Sequence, residues 1–250
     1  LVSSFMDSTF NKGTFALRDK DVIDIDRTAV TAVEYAAGNR RLRLVKTDDE
    51  WRLAEPIEAR ADFAAVEGAL ERLSSARMQG IVEGENPDLG ALGLEPPVAT
   101  FSTVSGDARA TLMFGETENA LVYARDASRP MVFTVAPTLY TDLIRDADEY
   151  RRKDLFDARS FTATRVELRP AGGDAVVLEK SGEGDSTVWK NAAGAELDRQ
   201  KVEELLTQLA GLRAESFRAD THAALRSPTL TVAVRFDGDR MEQVALARAG

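Results

Sequence analysis

Few residues in this chain could do chemistry, and each can be set beside a plainer role. The single histidine, His222 in Asp220-Thr-His-Ala223, could serve as a general base with a nearby carboxylate and Ser216 or Ser227 as nucleophile. Triad members meet only in space, so spacing cannot assemble them, and the matching loop around Leu89–Leu92 has no histidine. His222 reads as an ordinary loop histidine. The string Asp19, Asp21, Asp24, Asp26 offers oxygen ligands to a hard cation, but it lacks the glycine and distal glutamate of a calcium loop. Turn hydrogen bonds explain it better. Asp48-Asp49-Glu50 reads as a solvated hairpin tip. Gly172-Gly173 and Gly182-Glu-Gly184 lie between strand patterns, without the lysine and following helix that a phosphate cradle needs. Trp51 and Trp189 could stack on sugars, yet their place before a turn into a helix favours packing.

No catalytic, cofactor-binding or metal-binding residue is therefore assigned, and no cofactor is expected. The chain has no cysteine, which removes disulfides, thiolate metal sites and cysteine nucleophiles. Its 42 acidic side chains against 32 basic ones give a net charge of -10. That charge argues against a nucleic-acid partner or a basic membrane-binding face. The longest uncharged stretch, Pro130 to Thr141, is far short of the ~18–20 apolar residues of a spanning helix. Phe5-Met6 is followed at once by Asp7, unlike a signal peptide. The chain opens on Leu1 and stops at Gly250 within a strand-like pattern, and it reads as a soluble piece of a longer protein whose anchor would lie elsewhere.

The elements that would position such residues come in two copies. Leu17–Tyr35 set against Tyr150–Leu168 matches Arg18 with Arg151, Lys20 with Lys153, Asp21 with Asp154, Asp24 with Asp157, Thr31 with Thr164, Val33 with Val166 and Glu34 with Glu167. With small gaps, Lys46 then meets Lys180, Trp51 meets Trp189, Asp62 meets Asp198, and Val66, Leu70 and Leu73 meet Val202, Leu206 and Leu209. Pro97 and strand 98–104 face Pro228 and strand 230–236. Val2, Met6 and Phe10 fit Val135, Leu139 and Leu143 more weakly. The expected organisation is 1–146, the end of a preceding unit plus a first complete repeat, and 147–250, a second repeat truncated at its C-terminus.

Within one unit, Ala32–Tyr35 and Leu42–Lys46 flank Ala37-Gly38-Asn39 as a hairpin, and Leu42 and Leu44 alternate with Arg41 and Arg43 as in a strand with one wet face. A third strand follows at Trp51–Leu53. Asp62 is placed to cap a helix bearing Phe63, Val66, Leu70 and Leu73 at helical spacing. Strands 98–104, around Leu112 and Phe114, 121–123 and 131–135 follow, before a short helix from Pro137. Each unit should hold roughly seven strands and two helices. Hairpins and segregated helices predict α+β architecture: tandem duplicated units of mainly antiparallel sheet with amphipathic helices packed on one face.

The order of Val33-Glu34, a lysine-ended strand, Trp51-x-Leu53-x-x-Pro56, Ala61-Asp62 and a leucine-spaced helix resembles the bacterial family called domain of unknown function 4340. Gly93-Leu94-Glu95-x-Pro97 and Phe133-x-Val135 look like its downstream features. The second copy departs from it, with Trp189-Lys-Asn-Ala-Ala lacking the proline and Arg226-Ser-Pro228 lacking the glycine-leucine. The resemblance implies an N-terminal membrane anchor and the company of gliding-motility-type ABC transporter components, with these domains on the periplasmic side of the cytoplasmic membrane. Two readings follow. One is a non-enzymatic accessory domain that binds a transporter subunit or an envelope polymer. The other is a carboxylate-dependent hydrolase or carbohydrate-active enzyme of the cell envelope, which two carboxylates ~5–10 Å apart in a deep pocket would favour.

Overall fold

The fold is given by a computed structural model that describes residues 18–84, 86–159, 161–182, 187–218, 222–236 and 240–248. The sequence pairings on Val2, Met6, Phe10 and Leu17, and the residues Asp220, Thr221, Glu183 and Gly184, lie outside them. The chain divides into two compact units between Arg152 and Lys153.

In the first unit, β1 (Ala32–Ala37) and β2 (Arg40–Thr47) form the expected hairpin, with Gly38 in the left-handed region at φ +59°. β3 (Glu50–Glu55) returns through Asp48 and Asp49, both at positive φ. Such a two-residue turn suits the right-handed twist of the flanking strands. A two-residue strand, β4 (Ala59–Arg60), precedes α1 (Phe63–Ser75). Asp62 starts α1 by accepting a hydrogen bond from the Ala65 amide at 2.9 Å, satisfying one otherwise orphaned donor. β5 (Gly80–Ile81), β6 (Ala99–Ser105), β7 (Ala108–Glu118), β8 (Leu121–Asp126) and β9 (Val132–Val135) follow, then α2 (Pro137–Leu143) and the single turn α3 (Ala147–Tyr150).

The second unit has β10 (Ala163–Pro170), β11 (Val176–Ser181), β12 (Val188–Asn191), α4 (Arg199–Ala210), β13 (Leu230–Phe236) and β14 (Arg240–Leu246). The first sheet runs β4-β3-β2-β1-β6-β7-β8-β9-β5 and the second β12-β11-β10-β13-β14. All strand pairings in both are antiparallel, so the architecture is α+β, mostly sheet with a few helices. The order β3-β2-β1-β6-β7 of the first unit is the order β12-β11-β10-β13-β14 of the second. Register sets Glu34 opposite Ser102 and Glu167 opposite Ala233. β6 spans 99–105, one residue beyond the 98–104 read from sequence, with Phe101 buried on it and Val232 buried on β13.

Alternation builds the cores. Val33, Tyr35, Leu42, Leu44, Trp51, Leu53, Phe101, Leu112 and Phe114 point inward and share a cluster with Val66, Leu70 and Leu73 of α1. In the second unit Val166, Leu178, Trp189, Val232 and Val234 share one with Val202, Leu206 and Leu209 of α4. Tyr150, fully buried, belongs to the first cluster, and the Asp62 amide donates to its carbonyl at 2.7 Å. That packing draws α3, which follows position 146, into the first unit. The strands β4 and β5 and the turn α3 are too short to leave a periodic trace.

Candidate functional site

The sequence candidates are engaged in local structure. His222 caps the single turn Ala223–Arg226, its Nδ1 accepting from the Ala224 amide at 3.2 Å. His222, Ser216 and Ser227 are all exposed. Asp19 accepts from the Asp21 amide at 3.0 Å, and Asp21 pairs with Arg77. Asp26 accepts from both the amide and the hydroxyl of Thr28, whose bonds hold its carboxyl below the ordinary range. Among the described residues, no three His, Asp or Glu side chains converge as a metal site. Gly172 turns β10 into β11 at φ +73°. Burial pushes the phenols of Tyr35 and Tyr150 upward, and each donates its proton to a backbone carbonyl, of Arg145 and Leu143 respectively.

Trp51 and Trp189 both lie 3% exposed, on β3 and β12, opposite Lys46 and Lys180. Their carbonyls accept from Ala61 and Leu197, just before the capping aspartates. Burial rules out either ring as a sugar platform. The Gly93-Leu94-Glu95 stretch is likewise a lock: Gly93 has φ +68°, Leu94 is buried, and a side chain at Gly115 would meet the Leu92 carbonyl at 2.2 Å. That approach lets the Glu116 amide donate to Leu92 at 2.9 Å.

The polar groups that gather without a packing role lie on the other face of the first sheet. Alternation sends Glu34 and Ala36 of β1, Arg41 and Arg43 of β2, Thr100 and Ser102 of β6, and Arg109 of β7 away from the core. Arg43, Glu34 and Ser102 form one row across three strands. Glu34 is held by two guanidinium groups: Arg109 Nη2 donates to Oε2 at 2.8 Å, and Arg43 Nε lies 3.5 Å from Oε1. Ser102 and Thr111 share a hydrogen bond of 2.8 Å. Because Ala36 is small, the row borders a hollow of about 250 Å³, whose lining also includes Glu55.

The second sheet repeats the central charge and changes the rest. Glu167 Oε1 accepts from Arg169 Nε at 2.6 Å, and Arg165 lies 3.8 Å from Oε2. Ala233 stands where the first sheet has Ser102, and beside it Met241 is 63% exposed. The sequence carried two signals for this site, the match of Val33-Glu34 with Val166-Glu167 and the alternation that put Arg41 and Arg43 on a wet strand face. Arg109, and the convergence of Arg43 on the same glutamate, were missed because no motif links residues that only sheet pairing brings together.

A family model described as Domain of unknown function (DUF4340) matches residues 51–229. Neither a curated protein nor a solved structure matches the chain. Among the described residues, no helix is long and apolar enough to cross a membrane.

Proposed function

The chain belongs to the DUF4340 family, and from that premise we propose that it is a non-catalytic binding domain of a membrane-anchored bacterial protein. It works on the periplasmic side of the cytoplasmic membrane, beside an ABC-type transporter of the gliding-motility kind, and binds a transporter subunit or an envelope polymer. The location and the transporter rest on the family resemblance. The binding role rests on one observation: a glutamate clasped by two arginines on the open face of the sheet, at Glu34 and again at Glu167. Both oxygens of Glu34 are engaged by guanidinium groups, which holds the carboxylate in one place on the face, as a recognition surface requires.

The same observation supports a tandem duplication. Shared strand order, the aspartate caps of α1 and α4, and the bridges from Arg77 to Asp21 and Arg213 to Asp154 recur between the units. A binding surface built on a duplicated sheet can keep its frame while one face varies.

The second reading, a carboxylate-dependent hydrolase, draws on Glu34 and Glu55 lining one hollow. Crosslinking in membranes and a screen against envelope glycans and peptides separate the two. Adducts with a transporter subunit or envelope polymer, without turnover, are expected. Hydrolysis abolished by Glu34→Gln or Glu55→Gln, with the fold intact, would replace the binding reading by the enzymatic one.

A further inference from the structure

We infer that the hollow beside Glu34 binds an acidic saccharide unit, a sugar carrying a carboxylate. This rests on the binding reading above and names the ligand within its envelope-polymer branch. Three arginines, Arg41, Arg43 and Arg109, line the hollow against two glutamates, Glu34 and Glu55. That is a local excess of one positive charge (three minus two) in a chain of net charge -10. Arg43 and Arg109 are directed at Glu34, whereas Arg41 forms no ion pair with the described residues. A free guanidinium fork beside two that share one glutamate is matched by an incoming carboxylate, which it can hold through two parallel hydrogen bonds.

The opposite wall selects the rest of the ligand. Thr100 and Ser102 present hydroxyl groups, and Ser102 is already linked to Thr111, so this wall both donates and accepts hydrogen bonds. Glu34 and Glu55 offer acceptors for ligand hydroxyl groups. The floor is the methyl group of Ala36, beside Arg41 across the hairpin. A volume of about 250 Å³ is below the usual range for drug-sized ligands and fits one sugar ring. An acidic peptide side chain would satisfy the arginine but leave the hydroxyl of Thr100 and the carboxylate of Glu55 unused. The second sheet has Ala233 in place of Ser102, with the exposed Met241 next to it, so only Thr231 would offer the same ligand a hydroxyl there.

Amide chemical shifts of the isotope-labelled chain during titration with D-glucuronate, D-glucose and a glutamate-containing peptide provide the test. Glucuronate should shift amides of β1, β2 and β6, and Arg41→Ala should weaken its binding by about tenfold or more. Arg199→Ala, at an exposed position of α4, should leave that binding unchanged. Retained thermal melting of both variants would show that the fold survives. Absence of shifts at ~20 mM glucuronate, equal binding of glucose, or stronger binding of the peptide at the same amides would each overturn the inference. Failure with membrane crosslinks to a protein partner intact would remove this ligand and leave the binding role standing.

Discussion

Glu34 and Glu167 occupy the same place in their sheets, but their surroundings differ. Glu34 draws Arg43 and Arg109 from two other strands and faces Ser102. Glu167 uses Arg165 and Arg169 of its own strand and faces Ala233. The frame differs less: Trp51 and Trp189, and Leu70 and Leu206, are buried alike, and Asp62 and Asp198 both cap helices. The contrast teaches that the frame and the open face answer to different demands. Core positions are fixed by burial, and face positions are free to specialise.

The largest test of the shared frame is Leu70→Ala against Leu206→Ala. The two side chains are 0% and 3% exposed, so each truncation should cost about 2–5 kcal/mol. Trp51 and Trp189 place one tryptophan in each unit, so Trp51→Phe and Trp189→Phe backgrounds let urea unfolding be followed unit by unit. A loss well under 1 kcal/mol at either leucine would break the correspondence.

A smaller effect sharpens it. Trp51 Nε1 donates to Glu67 at 3.0 Å, whereas the matching Glu203 accepts from Arg199 at 2.7 Å. Glu67→Ala should destabilise its unit by about 1 kcal/mol. Glu203→Ala should cost only about 0.3–0.5 kcal/mol, because it removes an exposed pair one helical turn apart. Equal losses in urea unfolding would contradict the different use of the two glutamates.

Tyr150 gives the smallest effect near neutrality and a clear sign in alkali. Burial raises its phenol above the ordinary value of 10.0, so the neutral form is favoured in the folded state. The associated stability is fully present below about pH 10 and is lost as the pH rises beyond it. Thermal melting above that pH should fall more steeply for the native chain than for Tyr150→Phe. Parallel curves would place the alkaline sensitivity elsewhere.

Much of the frame was legible from sequence because it obeys local rules. The alternation in 40–47 gave β2, Asp62 and Asp198 gave helix starts, and leucine spacing gave the buried faces of α1 and α4. β4, β5 and α3 were not legible, since a two-residue strand or single turn exists only through its tertiary partners. The hollow was legible in part: Glu34 from its match with Glu167, and Arg41 and Arg43 from the alternation of β2. Its arginines are at positions 41, 43 and 109, and only the pairing of β1 with β2 and β6, and of β6 with β7, brings them to one face.

The most direct test is site-specific photocrosslinking in intact membranes from two corresponding open faces. A photoreactive residue at Thr100, in the hollow of the first sheet, is compared with one at Thr231, on the face of the second. Specific adducts with an envelope or transporter component from position 100, few from position 231, and no turnover of the captured component are predicted. Equal capture from both faces, capture from neither, or cleavage of the captured component would contradict the first sheet's open face as the surface of a non-catalytic binding domain.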